Sequence, residues 1–222
     1  MKLYPRQRPK RRCLVFSPLA YLKLQYLCHA GPTEVGAFAI SSTQQPLYIE
    51  ELHTIPQITS AGTVEFDDSA VADYFDRCVD QGLQPTQFAR LWLHTHPGSC
   101  PRPSGTDEET FKRVFGTTDW AVMAILSRTS NHYARLRINA GPGATCLLRW
   151  RVDWAAWPEQ LQGISLACLE EAWQEEYRQN VHPILPRLHP TFSDIGWNSQ
   201  MLEELDHWRY LATRGEEHDV LS

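Results

Sequence analysis

The amino-acid sequence predicts a mixed α/β (α+β) fold: one curved, mostly antiparallel sheet flanked by helices, with a helical extension at the C-terminal end. Three observations carry this expectation. Strand-like and helix-like runs alternate irregularly between about residues 12 and 154. The last three β-runs of that zone follow one another at hairpin spacing, with turn residues at Ser130-Asn131 and Gly141-Pro142-Gly143. From Trp157-Pro158 onward the pattern becomes helical and proline-broken. This order argues against a regular βαβ repeat. It divides the chain into a basic arm (1–11), an α/β domain (12–156) and a helical extension (157–222).

The elements follow in order. CLVF opens as a strand. SPLAYLKLQYLCHAG carries apolar residues at helical spacing, with Ser17 as N-cap and Gly31 as stop. EVGAFAIS, PLYIEELHTI and TVEFD read as strands. DDSAVADYFDRCVDQG reads as a helix opened by Asp67 and Asp68 and ended by Gly82 and Pro85. RLWLHTH is a strand, and SGTDEETFKRVFG a short helix closed by Gly116. WAVMAILS, HYARLRIN and ATCLLRWRVDW complete the sheet. In the extension, WPEQLQGISLACLEEAWQEEYRQN reads as one long helix and VHPILPRLHP as a connector. NSQMLEELDHWRYLA reads as a final helix capped by Asn198 or Ser199. The late tryptophans (150, 154, 157, 173, 197 and 208) read as packing of these helices onto the sheet.

Composition narrows the function. The chain has 222 residues, of which 42% are hydrophobic and 21% charged, as in a soluble globular protein. A net charge of -5 argues against a protein that mainly grips a nucleic-acid backbone, although Lys2, Arg6, Arg8, Lys10, Arg11 and Arg12 make the N-terminal arm locally basic. No apolar run is long enough to span a bilayer, and the apolar stretch after the basic arm is interrupted by Pro18, Lys23 and Gln25, unlike a secretory signal. Six cysteines, none in a C-x-x-C pair, read as thiols of a reducing compartment, so a cytoplasmic location is expected.

The chemistry is concentrated in one stretch, His94-Thr95-His96-Pro97 through Ser104-Gly105-Thr106-Asp107. At the end of a strand, residues i and i+2 project to one face, so His94 and His96 present two imidazoles side by side while Leu91 and Leu93 face a core. A stiff loop with two prolines and a glycine leads to Ser104, which caps the next helix and places Asp107 in its first turn. Two histidines and one aspartate, with water in the fourth position, is the donor set of a catalytic zinc site; a structural site would be closed by a fourth protein ligand. Ser104-x-x-Asp107 reads equally as a capping box, and one residue pair can serve both purposes. Cys100, in the intervening loop, reads as a residue outside the site, and His29, His53, His132, His182, His189, His207 and His218 fit no ligand spacing.

The full string His-x-His-Pro-x6-Ser-x-x-Asp, together with Thr33-Glu34-Val35-Gly36 on an earlier strand, resembles the signature of the JAMM (MPN+) metalloproteases. The resemblance covers roughly residues 12–154 and implies the MPN/JAMM, cytidine-deaminase-like core, a curved sheet beside one zinc ion. It implies His94, His96 and Asp107 as Zn2+ ligands, Glu34 as general acid/base and Ser104 as hydrogen-bond donor to the oxyanion. The activity implied is hydrolysis of a peptide or isopeptide bond after the C-terminal tail of ubiquitin or a ubiquitin-like protein. The short chain looks more like prokaryotic, deubiquitinase-like members than large assembly subunits. The extension, or an oligomer partner, is expected to supply part of the substrate surface. Two other readings are a non-catalytic MPN scaffold, which usually lacks ligands present here, and a RadC-like DNA-repair protein, which the acidic net charge disfavours.

Overall fold

Strands that are apolar on both sides need a covering layer on each face. WAVMAILS and RLWLHTH are of this kind, and both are buried along their length. The computed structural model of the chain describes residues 12–157 and 163–185. Their elements are β1 (Cys13–Phe16), α1 (Pro18–His29), β2 (Gly36–Ser41), β3 (Tyr48–His53), β4 (Gln57–Thr59), β5 (Val64–Phe66), α2 (Asp68–Asp80), α3 (Pro85–Phe88), β6 (Leu91–His96), α4 (Gly105–Phe115), β7 (Trp120–Ser127), β8 (His132–Ile138), β9 (Ala144–Leu147), β10 (Arg149–Val152), a 3-10 turn (Trp154–Ala156), α5 (Leu166–Asn180) and β11 (Val181–Pro183).

Eight strands form one sheet in the order β10-β1-β3-β2-β6-β7-β8-β9, and β11-β4-β5 form a small second sheet. The large sheet curls until its edges nearly meet. Only Leu148 separates β9 from β10, and its N–H donates to Ala134 O of β8 (2.9 Å), so one bent ribbon runs from β8 across to β1. The expected antiparallel pairing holds for β2–β3, β2–β6, β7–β8 and β8–β9. However, β1 lies parallel to β3 and β10, and β6 parallel to β7, so the sheet is mixed. For β6 and β7 the physical reason is the connection: α4 crosses over between them and returns the chain to the same end, which a tight hairpin cannot do.

Each face has its own core. Within the curl, α1 packs against Leu14, Phe16, Ile49, Leu52, Leu91, Leu93, Val122, Ala124 and Leu126. On the outer face, α2, α3 and α4 bring Tyr74, Phe88, Phe111 and Phe115 onto Phe38, Trp92, Met123 and Ile125. The period of two is visible in β6, where Leu91 and Leu93 go to one core and Trp92 to the other. Helix α1 begins as the sequence indicates, with Ser17 Oγ accepting from Ala20 N. It ends at His29, two residues before Gly31. Nine of its residues are buried, including Lys23, because α5 covers the side turned away from the sheet.

Four expectations change. PLYIEELHTI is a strand only as far as His53, and the chain just beyond Pro56 forms β4 of the second sheet, a strand the sequence reading did not include. ATCLLRWRVDW is split at Leu148 into β9 and β10. The long helix expected over Trp157–Asn180 is interrupted at 163–165, where Gly163 lies in the left-handed region (φ +78), and α5 runs from Leu166 to Asn180. VHP, read as connector, is strand β11, parallel to β4. The basic arm, residues 158–162, the final helix and the chain from 186 onward lie outside the described residues.

Helix α5 is bound to the domain by a polar anchor. The Glu176 carboxylate accepts from Thr54 N (2.8 Å) and Thr54 Oγ1 (2.9 Å) and pairs with Lys23, whose ammonium also donates to Leu52 O. Asn180 Nδ2 donates to Thr54 O (2.9 Å). Trp173 packs on Tyr26, with ring centroids 5.8 Å apart. No disulfide joins any of the six cysteines. Among the described residues, no helix is long and apolar enough to cross a membrane.

Candidate metal centre

The end of β6 turns both imidazoles to the outer face. His94 stacks on Trp92 (centroids 4.6 Å apart), which fixes its plane by packing. His96 is oriented differently: its Nδ1 lies 2.8 Å from Cys100 O. A carbonyl can only accept, so Nδ1 carries a proton, and in the neutral ring Nε2 then faces the site with its lone pair. Cys100 thus contributes its backbone and not its exposed thiol. Sequence reasoning gave this carbonyl no role.

Asp107 arrives on the first turn of α4 through a complete capping box. Ser104 Oγ accepts from Asp107 N (3.2 Å), and Asp107 Oδ2 accepts from Ser104 N (2.6 Å) and Ser104 Oγ (2.8 Å). The fold device and the site are therefore the same residues. Asp107 Oδ1 stays directed at His94 Nε2, 3.2 Å away. Next to Asp107, Glu108 forms a two-pronged ion pair with Arg135 of β8 (both 2.7 Å), tying this turn to the sheet.

Glu34 lies just ahead of β2, where Gly36 is opposite His94. Its N–H donates to Ser60 O (2.9 Å). Val35 exchanges hydrogen bonds with Thr95, N–H to Oγ1 (3.0 Å) and O from N–H (2.9 Å). The buried Gln57 side chain clamps Gly36, accepting from its N–H (2.7 Å) and donating to its carbonyl (2.8 Å). Gly36 itself is required by space: a Cβ there would lie 2.5 Å from Phe66 and 2.7 Å from Val64. Gln57 and Thr95 are supports that sequence reasoning did not single out: Gln57 stands in no motif, and Thr95 fills the unspecified position of His-x-His.

Glu34, His94, His96 and Asp107 are all buried and meet at one point, with one ligand atom from each within 4.8 Å of all the others. His94 Nε2 and His96 Nε2 are 3.2 Å apart; His96 Nε2 is 3.6 Å from Asp107 Oδ2 and 3.5 Å from Glu34 Oε1. Lone pairs and carboxylate oxygens crowd together, an arrangement that a cation satisfies. Glu34 Oε2 is buried without a hydrogen-bond partner.

The electrostatics follow from burial and neighbours. Desolvation raises the Glu34 pKa to about 7; His96 opposes the shift and Asp107 adds to it. Burial lowers the pKa of His94 despite Asp107 beside it. Burial also acts to lower His96, but hydrogen bonds to Asp107 and Cys100 O and the nearby carboxylates reverse the sign, and its pKa is raised. For Asp107, burial is outweighed by hydrogen bonds to both imidazoles, and its carboxyl is held well below the usual range.

All four residues expected to bind metal or move protons are thus brought together. Ser104 sits at the exposed rim, with its hydroxyl engaged by Asp107. Of the other histidines, His29, His53, His132 and His182 stand outside the cluster, and the rest lie outside the described residues. This buried group is suited to holding a metal ion. No family model matches the chain, and no curated protein matches its sequence.

Proposed function

We propose that this chain is a zinc-dependent peptidase or isopeptidase of the JAMM (MPN+) type, acting on the bond that follows the C-terminal tail of a ubiquitin-like protein. The observation that carries the reading is the four-residue cluster and its spacing. A tetrahedral zinc with bonds of about 2.0–2.2 Å has ligand atoms about 3.3–3.6 Å apart. The two Nε2 atoms are 3.2 Å apart, and the nearest Asp107 oxygen is 3.2 Å from His94 Nε2 (Oδ1) and 3.6 Å from His96 Nε2 (Oδ2). Two imidazoles and one carboxylate also match the donor preference of zinc.

Zinc held by His94, His96 and Asp107 would polarise the scissile carbonyl and bring the pKa of a water to about 7. Glu34, with one carboxylate oxygen free of protein partners, takes a proton from the attacking water and returns it to the departing amine. Ser104 supplies a hydroxyl at the rim; by turning its proton away from Asp107 Oδ2, it can donate to the oxygen on which negative charge develops. Asp107 Oδ2 still accepts from Ser104 N meanwhile.

Elemental analysis of the purified chain and of Asp107→Ala tests the metal, with about one zinc per chain expected for the first and loss for the second. Cleavage of ubiquitin-like fusions and lysine conjugates, with Glu34→Gln as the inactive control, tests the reaction. A folded chain that binds no zinc after reconstitution would overturn the proposal and favour a non-catalytic scaffold.

A further inference from the structure

The carboxylate assigned as acid/base sits at the end of a short loop, Gly31–Glu34, that follows α1. Three contacts hold this loop, and each comes from a distant part of the chain. Arg128, just after β7, donates from its guanidinium to Gly31 O. Thr33 Oγ1 and Thr59 Oγ1 share a hydrogen bond of 2.8 Å. The third contact is Tyr177 of α5. Its hydroxyl interacts with the Thr33 side chain and occupies the space beside Gly31 so closely that a Cβ on Gly31 would lie 2.1 Å from it. Gly31 has no positive φ, so its backbone conformation is open to any residue; the neighbouring hydroxyl is what requires glycine here.

Tyr177 is itself held firmly. Its neighbour Glu176 is bound to Thr54 and Lys23, and Asn180, one turn on, is bound to Thr54 O. Immediately after α5 the chain enters β11, which pairs with β4, the strand that carries Thr59. Helix and strand therefore grip the Glu34 loop from both sides.

We infer that Tyr177 is a positioning residue for Glu34, and that the segment Leu166–Pro183 belongs to the catalytic machinery instead of serving as an accessory surface. This rests on the proposed role of Glu34 in catalysis; the placement of the loop does not. The segment was expected to help bind substrate, which would affect KM. A positioning role affects kcat.

The test is a pair of substitutions that meet at one contact. Gly31→Ala adds a single methyl group against the Tyr177 hydroxyl, and Tyr177→Phe removes that hydroxyl; without it the nearest ring carbon is 3.2 Å from the added Cβ. In Gly31→Ala, kcat should fall about 10- to 100-fold with KM and zinc content unchanged, because a misplaced base loses alignment but not ligands. In Gly31→Ala/Tyr177→Phe, kcat should return to within about twofold of Tyr177→Phe alone. Hydrogen exchange gives a readout that needs neither substrate nor metal. The amides of Glu34 and Val35, bonded to Ser60 O and Thr95 Oγ1, should exchange faster in Gly31→Ala and recover in the double variant. If Gly31→Ala leaves exchange and kcat as in the wild type, or if Tyr177→Phe fails to suppress its defect, the inference is overturned. If exchange responds as expected in a protein that cleaves no ubiquitin-like substrate, the loop placement stands and the proposed activity fails.

Discussion

The two halves of the site are built in opposite ways. His94, His96 and Asp107 come from one continuous stretch in which strand, loop and capped helix position each other locally. Glu34 depends on β4, β6, Arg128 and α5, segments far away in the chain. The contiguous half can keep its geometry as long as β6 and α4 are folded. The dispersed half can be disturbed from many places, so changes far from the metal should separate metal binding from catalysis.

Asp107→Ala should produce the largest effect, since it removes a ligand and the capping box together. Activity should fall to background with the metal lost, and the helix start should cost about 1 kcal/mol on denaturation. Retained metal would mean that the contiguous half is not the metal site. Glu34→Gln should lower kcat by about 10²- to 10⁴-fold with zinc content unchanged, measured by elemental analysis beside steady-state kinetics. Gln57→Leu breaks the dispersed half from behind. It strands the buried N–H and carbonyl of Gly36 and should cost about 2–4 kcal/mol in urea unfolding, with little change in metal affinity. Equal loss of metal affinity would erase the distinction between the halves.

The smallest effect concerns the α5 anchor and depends on pH. Burial alone would raise the Glu176 pKa, but the Lys23 charge and the Thr54 hydrogen bonds bring it below its ordinary 4.5. On acidification the unfolded chain therefore takes up this proton before the native one does. The stability that the carboxylate contributes is present above about pH 4.5 and lost as pH falls through the lowered native value. Glu176→Gln should be roughly 2 kcal/mol less stable than the wild type at pH 7, and the gap should close in strong acid; a gap independent of pH would assign the effect to packing.

The same contrast explains what the sequence revealed. The ligand half is legible because one period-two strand, one proline-stiffened loop and one capping box place its residues without help from elsewhere. Ser104 and Asp107 were readable as both cap and site because the structure uses them as a cap. The glutamate was legible only through its place in a longer pattern. Its supports were not: Gln57 looks like any polar residue after a proline until its amide is seen to act as a strand partner for Gly36. β11 was hidden for a related reason. It is three residues long and ends in proline, and its pairing with β4 is a long-range event that local propensity cannot show. The strand β4 escaped because it is only three residues long, and the parallel pair β6–β7 follows from the α4 crossover, a topological fact that hydrophobic periodicity leaves open.

Closure of the large sheet has a consequence for how the protein comes into being. β1, the first strand described, finds one of its two neighbours in β10, the last strand of the sheet, so the curl cannot close until the ribosome has released most of the domain. The stretch bearing His94, His96 and Asp107 emerges well before that moment. Such non-local pairing places folding toward the slower end of the scale, about milliseconds to seconds. During synthesis a nascent chain would therefore display its ligand-bearing strand and loop while the sheet that shelters them is still open.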